Sequence, residues 1–322
     1  MDSVESTAEA PTVTAAATAA AARRLGLIGV PTSAGSHNPG QEKAPAAWRA
    51  AGLAQRLGEH GVAVRDFGDL PVTRHQPAKP DGGVRDLDRV AETAARTADA
   101  VAATAAEGWT PLVLGGDCTI TLGAVAGLAA RDADLGLVYF DGDADLSTPE
   151  HSDSAVLDTM GVTHLLGGGA PALARLGPRP RLLEPDRLVL LGFDPRELTS
   201  GQWGRLSAQH VHATPAEAVQ ADPVGTAEAA LAALAPHAGP ILVHFDVDVL
   251  DTGAFPLANF PHFHGLTLDQ AEAVLARLCA APAFAGLVVT EANPDHDPDG
   301  ELMRALADLL ARVLSAPQPG GR

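Results

Sequence analysis

The 322-residue chain is long enough to close one large core, and 46% apolar residues with 33 glycines and 25 prolines suit a loop-rich globular enzyme. Forty acidic against 22 basic residues leave a formal charge of -18, which repels nucleic acid and anionic lipid and supplies no basic stripe for tracking phosphates. Two cysteines, Cys118 and Cys279, are too few for a disulfide scaffold and fit a reducing, cytoplasmic setting. Residues 1–24 begin with acids and end in AAATAAAARR, the wrong polarity for an export signal, and read as a disordered tail before a single domain over 25–314. Residues 315–322 read as a flexible end, and no apolar run is long enough to span a bilayer.

In chain order, short β-rich apolar runs predict strands at Leu25–Val30, Val62–Asp66, Pro111–Leu114, Leu135–Phe140, Leu188–Gly192, His210–His212, Ile241–Phe245 and Leu287–Thr290. Helical periodicity occupies Ala44–Leu57, Leu87–Ala106, Ile120–Ala130, Thr226–Ala235, Thr267–Ala280 and Glu301–Val313. Such alternation predicts an α/β fold with a largely parallel sheet covered on both faces. An open sheet is preferred to a closed barrel because polar motifs follow only some of the strands, as expected where a ligand gathers beyond their carboxyl ends. Thr73–Gly83 and Leu198–Leu206 read as surface connections.

Two acidic clusters end apolar strands: Asp141, Asp143 and Asp145 in VYFDGDAD, and Asp246 and Asp248 in HFDVDVLD. Five carboxylates meeting in one crevice repel one another unless divalent cations or protons intervene, so the pair of motifs reads first as a metal site. If the backbone stays extended past Phe140, alternation puts the first three on one face. Turn and cap chemistry is the ordinary explanation for isolated acids such as Asp134, Asp251, Asp295, Asp297 and Asp299.

Cys118 in LVLGGDCT follows a further apolar strand. A lone cysteine there is commonly a small buried residue; beside the acids it reads as a ligand, and a thiolate shifts preference from Mg²⁺ or Ca²⁺ toward Mn²⁺, Fe²⁺ or Zn²⁺. Asp117 reads as an anchor for a strand end or a helix N-terminus, while Gly115 and Gly116 permit a tight turn but lack the following Gly-Lys-Ser/Thr of a phosphate loop. For Glu291 in VVTEANP, indirect metal contact, a salt bridge to a cationic substrate and a turn cap all stay open. His37, His151, His244, His262 and His264 each read singly as structural or surface residues, with one of them a candidate proton relay.

From about Leu25 to about Leu310 these motifs resemble, in order, those of the arginase/agmatinase (ureohydrolase) family. PTSAGSHNPGQEKAPAAWRAAGL is similar to its first loop and helix, LGGDCT to its GGDH segment and DGDADLSTPEHSDSAVLD to its DAHxD segment with the substrate loop. FDVDVLD is similar to its second aspartate motif and TEANP to its glutamate motif. The resemblance implies a three-layer α/β domain with an eight-stranded mostly parallel sheet, two Mn²⁺ ions bridged by hydroxide, a small guanidino-type substrate and a homo-oligomer, trimer or hexamer. Occupation by one ion, or by Fe²⁺ or Zn²⁺, stays open.

By position, the resemblance assigns Cys118, Asp141, Asp145 and Asp246 to the first ion and Asp141, Asp143, Asp246 and Asp248 to the second. It also gives Asp141 and Asp246 the orientation of the hydroxide and Glu291 the guanidinium. The departures are specific: Cys118 and Asp143 stand where the family has metal-ligand histidines, and Asp158 where it has its catalytic histidine. A thiolate and five carboxylates then outweigh two divalent ions. In the substrate loop Ser154 retains a family residue, whereas Ser147 and Val156 replace asparagines; Phe260 occupies a threonine position, and Glu197 is a candidate partner for a substrate amine. These changes disfavour plain L-arginine and favour a modified guanidine, such as an N-hydroxy-guanidino compound, whose leaving group depends less on protonation by histidine. The competing expectations are a catalytically silent or regulatory homologue and, more remotely, deacylation on the same scaffold.

Overall fold

The structure, a computed structural model, describes residues 23–77, 83–177 and 179–315. Eight strands, β1 (Arg24–Val30), β2 (Ala63–Asp69), β3 (Thr110–Gly115), β4 (Gly136–Phe140), β5 (Leu188–Leu191), β6 (His212–Thr214), β7 (Ile241–Asp246) and β8 (Phe284–Thr290), form one sheet in the order β2-β1-β3-β8-β7-β4-β5-β6. Every pairing is parallel. Strands β4 and β7 are buried along their whole length, which is why their sequences are unbroken apolar runs rather than alternating ones. At the edges, β2 carries Arg65, Asp66 and Asp69 and β6 is three residues long, and both features discourage pairing with another chain.

The helices are α1 (Ala44–Ala50), α2 (Leu53–Glu59), α3 (Leu87–Ala106), α4 (Ile120–Ala129), α5 (Gly161–Leu165), α6 (Pro171–Ala174), α7 (Ser200–Gln209), α8 (Ala216–Ala221), α9 (Pro223–Leu234), α10 (Leu268–Cys279) and α11 (Glu301–Ser315). Side chains alternate across the strands into two cores. Leu27, Leu114, Phe140 and Phe245 pack with Trp48 of α1, Leu275 of α10 and Leu310 of α11 on one face. Ile28, Val113, Tyr139 and Leu190 pack with Val101 of α3 and Val125 of α4 on the other. The result is the three-layer α/β arrangement expected from the alternating pattern.

Several local expectations are corrected. The helix expected over Ala44–Leu57 is split into α1 and α2 at Gly52, whose φ of 73° only glycine adopts easily. Leu198–Leu206, expected as a surface connection, contains most of α7, nucleated by a reciprocal capping box between Thr199 and Gln202. His210, expected to open a strand, terminates α7 in the left-handed region, and β6 starts at His212. Residues 73–77 and 83 form neither helix nor strand; residues 78–82 of that connection, and nearly all of both expected tails, lie outside the described residues.

Helix α4 follows the Cys118 turn directly and lies against α3 closely enough that a Cβ on Gly123 would come within 2.3 Å of the Ala94 carbonyl oxygen. A Cβ on Gly127 would come within 2.4 Å of the Ala98 carbonyl oxygen. Backbone cannot yield as a side-chain tip can, so Gly127→Val is expected to destabilise the protein by about 1–3 kcal/mol, read as a lower urea midpoint. Gly204 is exposed on α7, and a Cβ added there would meet nothing within 4 Å, which gives the opposite outcome. Gly204→Ala is expected to stabilise by about 0.4–1 kcal/mol in the same titration.

Candidate metal centre

The four central strands β3, β8, β7 and β4 are neighbours, and their carboxyl ends carry Cys118, Glu291, Asp246 with Asp248, and Asp141 respectively. Residues far apart in the chain thereby meet over one stretch of sheet edge, where open α/β sheets collect ligands. The crevice is narrow, about 30 Å³, and is lined by Cys118, Asp141, Asp143, Asp145, Asp158, Asp246, Asp248 and Glu291 together with His37, Thr159 and Phe260. Seven carboxyl groups and a thiol therefore share a lining without a lysine or arginine.

Beyond β3 the chain turns at Gly116, where a Cβ would lie 2.6 Å from the Thr32 carbonyl oxygen. The buried Asp117 secures this turn, as its sequence position suggests: it accepts hydrogen bonds from the Gly35 N–H at 2.9 Å, the Thr119 N–H at 3.2 Å and the Thr119 hydroxyl. The Cys118 thiol is thereby aimed inward and donates to Asp246 Oδ2 at 2.5 Å, with Asp141 Oδ2 and His244 Nε2 each 3.8 Å away. The Cys118 N–H donates to Asp158 Oδ1 at 2.8 Å.

Asp141, Asp143 and Asp145 do converge, but not through an extended backbone. Strand β4 ends at Phe140, the Asp143 N–H donates back to Asp141 Oδ1 at 2.7 Å, and Asp145 has a φ of 47°. Short polar side chains tolerate such a turn, and here it gathers acids that strand alternation alone would spread over a longer face. Asp145 accepts from the Tyr139 hydroxyl at 2.6 Å. Among the described residues, the four-residue set whose donor atoms lie mutually within 4.8 Å is Cys118, Asp141, His244 and Asp246, which contains His244 and not Asp145. A second set is Asp143, Asp248 and His262, and a third is Cys118, Asp158 and Glu291.

The two aspartate loops are tied together: the Asp248 N–H donates to Asp246 Oδ1 at 2.8 Å, and the Gly142 N–H donates to Asp248 Oδ1 at 3.0 Å. Glu291 sits in the left-handed region at φ 62°, held by its N–H on the Gly116 carbonyl at 2.9 Å. Gln41 donates to Glu291 Oε2 at 2.7 Å, whereas the buried Oε1 has no protein partner. Strain of this kind persists where the surroundings over-determine it.

His244 and His262 enter the site although each singly reads as structural. His244 lies two residues before Asp246 on β7 and therefore on the same sheet face; its ring stacks on Tyr139 at 4.0 Å, with Nδ1 2.7 Å from the Thr121 hydroxyl and Nε2 3.2 Å from Asp141 Oδ2. That period-two spacing was a usable signal. His262 arrives on the loop between β7 and α10, and nothing local in the sequence marks it. Its Nδ1 lies 3.1 Å from Glu197 Oε1, so Glu197 meets an imidazole.

Among the residues expected to contact substrate, Asp158 lines the crevice and Phe260, 42% exposed, stands at the mouth beside His37 and His262. Ser147 and Ser154 lie off the lining: Ser147 Oγ accepts from Gln202 Nε2 at 3.3 Å, and Ser154 Oγ pairs with Ser152 Oγ at 3.2 Å.

Burial, reinforced by neighbouring acids, drives the Asp141, Asp145, Asp158, Asp246 and Glu291 carboxyls well above the usual range. Burial and then Asp246 raise the Cys118 thiol. Asp143 is pushed up to about 7 by burial, against the pull of His262; the 31% of its side chain open to water weakens the burial share. For His262 burial acts downward, but Asp248, Asp143 and Glu197 outweigh it and raise the ring to about 10. His244 is lowered to about 3 and His164 to about 4, both chiefly by burial.

These directions set the pH dependence of the metal-free protein. A group whose pKa is raised on folding keeps more protons in the native than in the unfolded chain, so stability falls as pH rises between the two values. His244 and His164 act oppositely, but only below their ordinary value of 6.5. From about pH 6.5 to about pH 10 the decline is thus unopposed by histidine. The metal-free protein is expected to show a melting temperature that falls steadily over that window; a flat or rising profile would contradict it.

Comparison with known proteins agrees with this geometry. A family model described as "Arginase family" matches residues 23–315. A curated arginase of Bacillus caldovelox is 30% identical over 293 residues, covering 90% of this chain and 97% of the relative. Its native crystal structure superposes with a TM-score of 0.84 at 27% identity, covering 91% of this chain and 99% of the other. The fold is shared more distantly by the proclavaminate amidino hydrolase of Streptomyces clavuligerus, with a TM-score of 0.67 at 19% identity over 91% and 92% of the two chains. With this match spanning the described sheet and all four strand ends of the crevice, the chain belongs to the arginase family.

Proposed function

We propose that the protein is a metal-dependent hydrolase that cleaves a C–N bond of a guanidino or amidino substrate, with an N-hydroxy-guanidino compound preferred to L-arginine. The observation that carries the reading is Glu291 Oε1, a buried carboxyl oxygen that no protein N–H reaches in a crevice crowded with acids. A buried acceptor left unpaired is costly, and a planar, donor-rich cation relieves that cost. The relatives named arginase and amidino hydrolase support the same class of substrate.

The donor set also fits metal. A thiol and several carboxyls converge within 4.8 Å of one another with no lysine or arginine in the lining, and burial and mutual repulsion raise most of their pKa values, an unmet need for positive charge. The residues proposed to hold Mn²⁺, or Fe²⁺ or Zn²⁺ given the sulfur donor, are Cys118, Asp141, Asp143, Asp145, Asp246 and Asp248. When bound, such ions act as Lewis acids and make water nucleophilic near neutral pH.

The chain's own groups do the rest. Glu291, its other oxygen fixed by Gln41, grips and orients the guanidino group. Asp141 and Asp246, in the same lining as Glu291, orient the attacking water. Asp158, at the position of the family's histidine and fixed by the Cys118 N–H, holds a proton for the departing nitrogen. Phe260 and the apolar side chains below the acids restrict water. Among the described residues no helix is long and apolar enough to cross a membrane. Work in the cytoplasm as a trimer or hexamer belongs to the same proposal.

Protein loaded with Mn²⁺ is expected to convert an N-hydroxy-guanidino substrate to the free amine and hydroxyurea, to lose that activity to chelator and to regain it with added metal. Equal or faster urea release from L-arginine would overturn the preference. Glu291→Gln is expected to cut kcat/KM by roughly a hundredfold or more, the cost of breaking a buried ion pair. A second reading, a silent ligand-binding homologue, draws on the Cys118 thiol, which already satisfies Asp246 by hydrogen bond. Metal-free protein with a chelator-insensitive melting temperature and no turnover is its signature.

A further inference from the structure

We propose that His262, supplied by the loop between β7 and α10, is the imidazole ligand of a metal ion held with Asp143 and Asp248, and that Glu197 positions its ring. The proposal rests on the metal-hydrolase reading and adds a ligand that the family motifs do not contain. His262 is only 3% exposed, yet its Nε2 is buried without a hydrogen-bond partner. That nitrogen lies 3.6 Å from Asp248 Oδ2 and 3.9 Å from Asp143 Oδ2. Both separations exceed hydrogen-bond length, whereas a cation among the three atoms would be reached by each with a small adjustment.

The opposite side of the ring specifies the tautomer that would bind metal. Glu197 can only accept through its carboxylate, so the 3.1 Å contact places a proton on His262 Nδ1; the second proton of the metal-free ring sits on Nε2 toward the two aspartates, and a cation there would replace it and take the Nε2 lone pair. A carboxylate behind an imidazole is how metal-binding histidines are ordinarily held and made more basic. Asp248 is pinned independently by the Gly142 N–H, and the ring is boxed by Phe260 at 5.3 Å. The donors at this position are oxygen and nitrogen only, so it favours Mn²⁺ or Fe²⁺, whereas the set around Cys118 adds sulfur. The imidazole that the family resemblance expects at Asp143 would thereby be supplied from a different loop.

The test uses full-length protein loaded with Mn²⁺, with metal per chain measured by elemental analysis and imidazole coordination by pulsed EPR with and without ¹⁵N-histidine. Wild type is expected to hold two ions per chain, and folded His262→Ala one, with weaker nitrogen coupling to manganese. Glu197→Gln, which keeps the ring, is expected to weaken binding of that ion about 10–100-fold, and it carries the test if His262→Ala does not fold. Two ions with unchanged coupling in His262→Ala, or unchanged affinity in Glu197→Gln, would overturn the assignment and leave His262 an ion-paired imidazolium. A single ion lost in Cys118→Ser but kept in His262→Ala would also overturn it while sparing the proposed function. Wild type that binds no ion overturns both.

Discussion

Uncompensated negative charge at the carboxyl ends of β3, β8, β7 and β4 is the constraint on which the rest of the centre depends. Seven carboxyl groups and a thiol occupy one lining with no lysine or arginine among them. Such a cluster survives only if protons or cations take the surplus, since burying several like charges at hydrogen-bond distances is prohibitive. Bare protein uses protons: the thiol is shared with Asp246, the Tyr139 hydroxyl serves Asp145, and most of the buried acids are driven upward. Cations would displace those protons, which links ligand binding, pH and stability in one equilibrium.

The scaffold makes this crowding durable. Each acid-bearing loop is locked by main-chain donors rather than by basic side chains: Gly142 on Asp248, Asp248 on Asp246, Asp143 on Asp141 and the Cys118 N–H on Asp158. Peptide donors hold these carboxylates in place without a lysine or arginine in the lining, and the one raised imidazole, His262, lies beside Asp143 and Asp248. Asp117 performs the same service one layer out, joining the first loop to the turn that aims Cys118. The left-handed backbone at Asp145 and Glu291 shows local conformational preference giving way to the geometry of the centre.

The departures from the family pattern also acquire a physical order. Loss of imidazole at Cys118 and Asp143 does not leave the crevice without imidazole, because His244 stands beside the first and His262 beside the second. The donors separate into a set containing sulfur and a set of oxygen and nitrogen, a distinction that bears on which metals each would prefer. Phe260, in the lining, lies 5.3 Å from the His262 ring, which in turn meets Glu197 at 3.1 Å.

By itself the sequence determined the alternating architecture, all eight strands to within a few residues, and the acids and cysteine that meet at their ends. These were legible because a buried parallel strand must be a continuous apolar run and because a strand-end carboxylate cluster has few other uses. The helix break at Gly52 and the capping box of α7 were also written locally, although periodicity alone did not reveal them. Only the tertiary structure decided which strands are neighbours, that Asp141, Asp143 and Asp145 converge through a turn, and that Ser147 and Ser154 lie off the lining while Glu197 reaches His262. His262 and Asp143 are separated by more than a hundred residues, and no local pattern encodes the loop path that brings them within 3.9 Å. Contacts of that kind follow from sheet order and loop closure, which are properties of the whole chain packed at once.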